Sequence, residues 1–304
     1  TIVGKNRKDT DALHAGEIGA LVKLKDVTAT DTIFEKSAPF AIVPPEYPNP
    51  VTAVAVRPAK QGDEDKLSSG LSRITSEDKT LRYVVDPEMH QTLLYGIGDT
   101  QIDIAVQRLK RKFNVDVELD EPRIPYRETV RGKAEVRYRH KKQSGGRGQF
   151  GEVYLRLQPL PRGEDFQFLD EIVGGVIPSK FIPAVEKGVR EAMQEGPIAG
   201  YKVVDISAAV FDGQYHPVDS SEMAFKIAAS QAFKNAFKEA KPALLEPYVK
   251  VEIKVPDEFM GDIMGDMSSR RGKILGTENK GGATIITAEA PQAVKRAIKR
   301  ADRI

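Results

Sequence analysis

The chain has 304 residues, 40% of them apolar and 30% charged, with a net charge of +2 and no cysteine. That length predicts two to four domains, and the composition predicts a soluble globular protein. The missing cysteine excludes disulfides and thiolate metal sites and fits a cytoplasmic setting. No run approaches the roughly eighteen apolar residues of a membrane span, no signal or transit segment is visible, and a start at Thr1 rather than Met fits a piece of a longer protein.

Residues 1–33 alternate weakly ("IGALVKLKDVTATDTI") and read as the last strands of a β-domain. A proline-rich joint follows, in which Pro44, Pro45, Pro48 and Pro50 favour an extended linker. Val51–Arg57 reads as a strand, and Leu67, Leu71 and Ile74 stand at helical spacing in Asp63–Ser76. Leu81–Val85 and Gln91–Tyr95 read as strands around Asp86-Pro87. Ile102, Val106, Leu109 and Phe113 put one face on a helix over Asp99–Phe113, and Val115–Leu119 closes the unit with a strand. The order βαββαβ is that of a ferredoxin-like sandwich.

The segment 124–243 opens with alternating strands near 131–139 and 151–158. A helix near 182–195 places Val185, Val189 and Met193 inward and stops at Gly196-Pro197. Lys202–Phe211 reads as a strand and "FDGQYHP" as a tight turn. Asp219, with Glu222 three residues on, has the pattern of a capped helix start, and Ile227, Ala232, Phe233, Ala236 and Phe237 line that helix inward up to Pro242. Segment 244–304 then repeats a βαββ pattern: strand Tyr248–Val255, methionine-rich helix Asp257–Arg270 capped by Gly272, strands Lys273–Gly276 and Ala283–Ala290. A short basic helix, Gln292–Arg300, comes next, so this second ferredoxin-like unit reads as incomplete.

Two features carry chemistry. From Arg131 to Arg147 there are seven Lys/Arg residues against one acid, Glu135. Such a run is ordinarily a solvated face, but this one leads into a glycine-rich loop, which favours an anionic partner. That loop, Gly146-Arg147-Gly148-Gln149-Phe150-Gly151 before Val153, resembles on paper both a dinucleotide fingerprint and a kinase glycine loop. The first needs a helix after the loop, and Glu152–Leu157 alternates as a strand. The second needs Val-Ala-Ile-Lys, His-Arg-Asp and Asp-Phe-Gly, all missing. No Gly-x-x-x-x-Gly-Lys-Ser/Thr occurs either, so the loop is not a nucleotide site. What remains is a flexible hairpin end whose glycines permit close approach and whose Arg147 can pair with phosphate or stack on a base.

The strings "QSGGRGQFGEVYLRLQPL", "IVGGVIPSKFIPAVEKGVREAMQEGPIAGYKVVDI", "FDGQYHPVDSSEMAFKIAA" and "MGDIMGDMSSRRGKILG" resemble bacterial elongation factor G, the translocation GTPase. The resemblance implies an α+β multidomain architecture: the end of a β-barrel domain over 1–33, a ferredoxin-like third domain over 47–122, an elongated S5-like fourth domain over 124–243, and an incomplete ferredoxin-like fifth domain over 244–304. It further implies that the GTPase half, with its GTP and Mg, lies upstream of this chain, which itself holds no cofactor, metal or catalytic residue. The implied partners are both ribosomal subunits, ribosomal RNA and the tRNA–mRNA in the decoding site, bound by a monomer away from any membrane.

In that family two loops form the end of the fourth domain. By motif they fall on Ser144, Gly145, Gly146, Arg147, Gly148 and Gln149, and on Gly213, Gln214, Tyr215 and His216. A lone turn histidine is ordinarily a surface group, but the resemblance matches His216 to one that faces the codon–anticodon region. Ser268, Arg270 and Arg271 end the fifth-domain helix, where the family faces large-subunit RNA; basic residues there equally complement a helix dipole. Gly174-Gly175-Val176-Ile177-Pro178 reads as structural, His14, His90 and His140 are too scattered for a metal, and Asp170-Glu171 reads as surface charge.

One motif departs. Where the family carries Gly-Met-Gly-Glu-Leu-His-Leu, this chain has Gly96-Ile97-Gly98-Asp99-Thr100-Gln101-Ile102. The lost Leu-His points to an elongation factor G-like paralogue. Translocation is therefore weighed against ribosome recycling by a paralogue, tetracycline-resistance ribosome protection, and a stand-alone RNA-binding module.

Overall fold

The computed structural model describes residues 2–3, 6–7, 9–24, 27–143 and 148–293. The chain divides into two compact units, Thr1–Arg123 and Ile124–Ile304.

In the first unit, β1 (Ile2–Val3) and β2 (Asn6–Arg7) pair antiparallel. From 9 to 50 the described residues form no helix or strand. Among the described residues of that stretch no adjacent strand offers a ladder of partners, and an unpaired alternating segment does not form a strand alone; Ile18 and Val22 are 94% and 77% exposed. After the prolines come β3 (Thr52–Pro58), α1 (Glu64–Glu77), β4 (Arg82–Asp86), β5 (Gln91–Gly96), α2 (Asp99–Phe113) and β6 (Val117–Asp120). The sheet order is β4-β5-β3-β6, antiparallel throughout, which is the expected ferredoxin-like topology.

Both helices lie on one face of this sheet. Leu67, Leu71 and Ile74 of α1 and Ile102, Ala105 and Leu109 of α2 meet Val56 and Leu94 in a single core. The buried stripe of α2 is turned slightly from the expected one, since Ala105 is buried whereas Val106 is half-exposed. Asn114 ends α2 in the left-handed region at φ 53°, its N–H reaching Leu109 O and Lys110 O.

The second unit contains β7 (Arg127–Val130), β8 (Ala134–Lys142), β9 (Gln149–Pro159), β10 (Phe166–Asp170), α3 (Ile182–Gln194), β11 (Ile206–Gln214), α4 (Glu222–Glu239) and β12 (Pro242–Leu245). The main sheet runs β10-β11-β9-β8; β10 and β11 are parallel and the other pairs antiparallel. Pairing of β7 with β12 closes a small second sheet. Helices α3 and α4 cover the face built by Val153, Leu155 and Leu157, with Phe225, Phe233 and Phe237 fully buried. Burying such side chains contributes about 1.5–3 kcal/mol each. Gly188 lets the helices approach: a Cβ there would sit 2.3 Å from Lys226 O.

Three expectations for this segment change. Phe211–Gln214 belongs to strand β11 rather than to a turn, because β9 supplies ladder partners as far as Gln214. Strand β11 starts at Ile206, not Lys202. The N-cap of α4 is Ser221, whose extended backbone aims its Oγ at Ala224 N, 3.2 Å away; Asp219 points elsewhere.

The remaining elements are β13 (Tyr248–Pro256), α5 (Met260–Ser269), β14 (Lys273–Asn279) and β15 (Ala283–Pro291), with sheet order β13-β15-β14. Met267 of α5 packs on Ala288 and Ala290. A 3-10 turn, Asp257–Phe259, precedes α5 where the helix was expected to begin. The left-handed residue after α5 is Arg271, at φ 64°, and not Gly272, whose N–H bonds Met267 O. The basic helix expected over Gln292–Arg300 lies outside the described residues from 294 on.

Candidate nucleic-acid interface

The β8–β9 connection and the β11–α4 connection emerge at the same end of the main sheet, because Gln214 pairs with Glu152 and Arg139 pairs with Glu152 from the other side. Of the first loop, Ser144, Gly145, Gly146 and Arg147 lie outside the described residues. Gly148 and Gln149 are described. The N–H of Gly148 donates to Asp219 Oδ1 at 3.1 Å, and Gln149 Oε1 accepts from His140 Nε2 at 3.0 Å. Gln149 opens a strand, so no helix N-terminus follows the glycine loop.

The second loop is drawn against the first. Phe150 N–H donates to Asp219 O at 2.9 Å, and Ser220 Oγ donates to Phe150 O at 2.9 Å. His216 N–H donates to Ser220 Oγ at 2.8 Å, while Ser220 N–H returns to His216 O at 3.1 Å. The His216 ring lies tilted 55° to Phe150, centroids 6.2 Å apart. Its side chain is 49% exposed, and Tyr215 beside it is 42% exposed. Gln214 Oε1 accepts from Arg139 Nη2 at 3.3 Å.

Beneath the loops, Glu152 is 3% exposed and holds Arg137 Nε at 2.7 Å together with Arg139 Nε. Burial pushes its carboxyl up. The hydrogen bonds from Arg137 and Arg139, with their charges, outweigh that and hold it below the usual carboxylate range. Arg139 therefore touches Glu152, Gln214 and the Phe150 ring, 5.9 Å from its centroid. Lys141 and Lys142 stand exposed farther along β8. Between Val210 and Asp212 the register against β9 shifts, leaving Phe211 as a bulge. Past it Gly213 faces the core, where a Cβ would meet Ile177 Cδ1 at 2.4 Å, and Gln214 faces the charged side.

Sequence reasoning singled out Gly148, Gln149, Gln214, Tyr215 and His216, and the structure brings them together. It missed Asp219, Ser220, Phe150, Arg139 and Glu152, which make the connections. The signal for Asp219 was present but pointed to a helix cap, a role that Asp and Ser fill equally well. Gly174 and Gly175 both take left-handed φ values, 72° and 69°, ahead of buried Ile177, as a structural turn requires.

Ser268, Arg270 and Arg271 lie apart from these loops, at the C-terminal end of α5 and just past it. Ser268 Oγ donates to Met264 O at 2.9 Å, and Arg270 Nε to Asp266 Oδ1 at 2.7 Å. Arg271 makes a two-pronged pair with Glu246, at 2.8 and 3.0 Å. At the departing motif, Gln101 turns inward: Oε1 accepts from Ile97 N at 2.7 Å, and Nε2 donates to Thr80 Oγ1 at 2.6 Å and Asp78 Oδ2 at 3.1 Å. Among the described residues no group of three or more His, Asp or Glu could hold a metal ion, and no helix is long and apolar enough to cross a membrane.

A guanidinium, two lysines and an exposed histidine at one end of a sheet suit an anionic ligand rich in hydrogen-bond acceptors. The fold is that of a multidomain α+β protein in which a four-stranded ferredoxin-like sheet, a mixed four-stranded sheet and a three-stranded antiparallel sheet follow one another along the chain. Family models match in the same order: "Elongation Factor G, domain III" over 47–121, "Elongation factor G, domain IV" over 122–241 and "Elongation factor G C-terminus" over 243–295. The chain belongs to the elongation factor G family.

Among its relatives, an elongation factor G-like protein of Thermotoga maritima is 48% identical over 290 residues, covering 95% of this chain and 42% of that protein. A crystal structure from Thermus thermophilus superposes with a TM-score of 0.73 at 40% identity, over 88% of this chain and 40% of that one. The chain thus spans about two fifths of the length of these relatives.

Proposed function

We propose that this chain is the ribosome-binding part of a cytoplasmic translational GTPase that promotes GTP-dependent movement of tRNA and mRNA in protein synthesis. The observation that carries the reading is the joining of two loops at one end of the main sheet, with His216 exposed between them beside the basic strand β8. In this reading a monomer engages both subunits. Residues 144–149 and 214–216 meet the tRNA–mRNA in the decoding site, and Ser268, Arg270 and Arg271 meet ribosomal RNA. GTP and Mg belong to a part of the protein beyond this chain, whose residues offer no phosphate-binding loop and carry no step of hydrolysis.

The test is a reconstituted ribosome with the whole protein and GTP, following tRNA from the A to the P site. Wild type moves it, and His216→Ala slows it about tenfold or more, the size of one or two lost hydrogen bonds. Normal movement with the variant removes His216 from the site. A second reading, ribosome recycling by a paralogue, is favoured by Gln101, whose side chain is committed to Ile97, Asp78 and Thr80 where the family carries histidine. Subunit splitting by a wild type that fails to move tRNA would select it.

A further inference from the structure

The hydrogen bonds at one ring nitrogen of His216 say which nitrogen carries the proton. Its Nδ1 accepts the backbone N–H of Asp219 at 3.1 Å and that of Val218 at 3.3 Å. Both are donors with no capacity to accept, so Nδ1 must offer a lone pair. A neutral imidazole with a lone pair at Nδ1 has its proton on Nε2. The other candidate partner for Nδ1 is Asp219 Oδ2, 3.6 Å away and beyond hydrogen-bonding reach. The second oxygen of that carboxylate, Oδ1, is engaged by Gly148 N–H.

The ring is also held in place. Its backbone N–H and C=O are both tied to Ser220, and Phe150 lies against one side. Among the described residues Nε2 has no hydrogen-bond partner, and the side chain is 49% exposed.

We propose that His216 presents a fixed Nε2–H donor, with Asp219 as the positioning residue whose backbone N–H sets the tautomer. The ligand atom is then an acceptor. On a short RNA duplex the shallow minor groove displays two kinds, the ribose 2′-oxygen and the base acceptors O2 and N3. The exocyclic amines of the bases, being donors, are not partners for this nitrogen. The inference deepens the decoding-site reading and rests on it for the identity of the ligand; the tautomer itself rests only on the distances above.

The whole protein, labelled with ¹⁵N at histidine alone, is examined by long-range proton–nitrogen correlation at neutral pH. The His216 signals are assigned by their loss in His216→Gln. The expected pattern has an unprotonated Nδ1 and a protonated Nε2. A protonated Nδ1, as the other tautomer or as imidazolium, overturns the proposal without touching the functional reading.

The ribosome assay supplies the second measurement. His216→Gln places an amide donor near the position of Nε2, and His216→Asn places one near Nδ1 instead. The glutamine variant is expected to keep its rate within about threefold of wild type, and the asparagine variant to fall about tenfold, as alanine does. Equal losses in both overturn the donor role, whereas normal rates in all three variants overturn the decoding-site reading and leave the tautomer standing. Codons with 2′-deoxyribose separate the two acceptors. They abolish the difference between wild type and His216→Ala if the ribose is the partner, and preserve it if the base edge is.

Discussion

The carboxylate of Asp219 accepts the backbone N–H of Gly148 at 3.1 Å, tying together two loops that lie 71 residues apart in the chain. The tie is close enough that a Cβ on residue 148 would stand 2.9 Å from Asp219 Cγ. Glycine is needed there for space, not for an unusual φ.

Asp219→Ala removes the acceptor, while Asp219→Asn keeps an oxygen in the same place. Hydrogen exchange at the Gly148 amide is expected to speed up about tenfold in the alanine variant and to change less than about threefold in the asparagine one. The unfolding midpoint barely moves in either, since only one partly exposed bond is involved. Unchanged protection in Asp219→Ala would show that the tie is not made in solution.

Glu152 stands between two arginines, and its pH dependence has a definite sign. A carboxyl held below its usual range in the folded state adds stability that is complete above the unfolded value, about pH 4.3. That stability is lost as pH falls through the folded value. Urea unfolding of Glu152→Gln is therefore expected to lose stability at pH 7 and to show a flatter profile between about pH 5 and 3. Breaking a fully buried pair costs about 3–5 kcal/mol. Here the arginine side chains are 50% and 46% exposed and can turn to water, so about 1–2 kcal/mol is expected. An unaltered profile would mean that the arginines do not hold the charge.

Gly188 reverses an ordinary rule. Glycine to alanine inside an exposed helix gains about 1 kcal/mol. At Gly188 the new methyl would lie 2.3 Å from Lys226 O, in backbone that cannot rotate away. Gly188→Ala is expected to lower the stability of the second unit by about 1–3 kcal/mol as α3 and α4 are pushed apart. Thermal unfolding reads it, and a raised midpoint would contradict the close approach.

Arg271 separates structural and binding roles at the end of α5. Its left-handed φ of 64° costs about 1 kcal/mol relative to glycine. Its pair with Glu246, on a side chain 65% exposed, is open to water and adds little to stability. Arg271→Gly relieves the backbone and is thus expected to unfold at or slightly above the wild-type midpoint, whereas Arg271→Ala keeps the left-handed backbone, loses the pair and unfolds at or slightly below it. If Arg271 also meets ribosomal RNA, both variants lose ribosome affinity equally despite their different stabilities. Filter binding reads this, and unchanged affinity in both restricts Arg271 to holding Glu246.

The sequence specified some elements far better than others, and the reasons are local. Helix α2 matched its expected span, Asp99–Phe113, because a strong apolar stripe ends at an asparagine suited to the left-handed region. The short strands β7 and β12 gave no signal, since four residues hold at most two alternations and their pairing joins positions more than a hundred apart. Strand β10 was missed for a similar reason: its parallel partner β11 lies beyond α3. The cap of α4 was misplaced by two residues because Asp219 and Ser221 are both good caps. Only the fold reveals that Asp219 is already occupied by Gly148. The joining of the two loops could be anticipated from family resemblance alone; the bonds among Phe150, Ser220 and His216 depend on tertiary proximity that no spacing rule encodes.

The bulge at Phe211 has a consequence for how β11 tolerates change. Up to Val210 the even-numbered residues face the core, and beyond the extra residue the odd-numbered Gly213 does. Deleting Phe211 would therefore leave every pairing of the strand in place. Val210 would be followed directly by Asp212, and Asp212, Gly213 and Gln214 would still face Tyr154, Val153 and Glu152, with Gly213 inward and Gln214 outward. What would be lost is the Phe211 ring, which packs edge-on against Tyr154 and lies under the Arg156 guanidinium. The extra residue thus adds a side chain to the charged face without being needed to set which of the strand's last residues point inward.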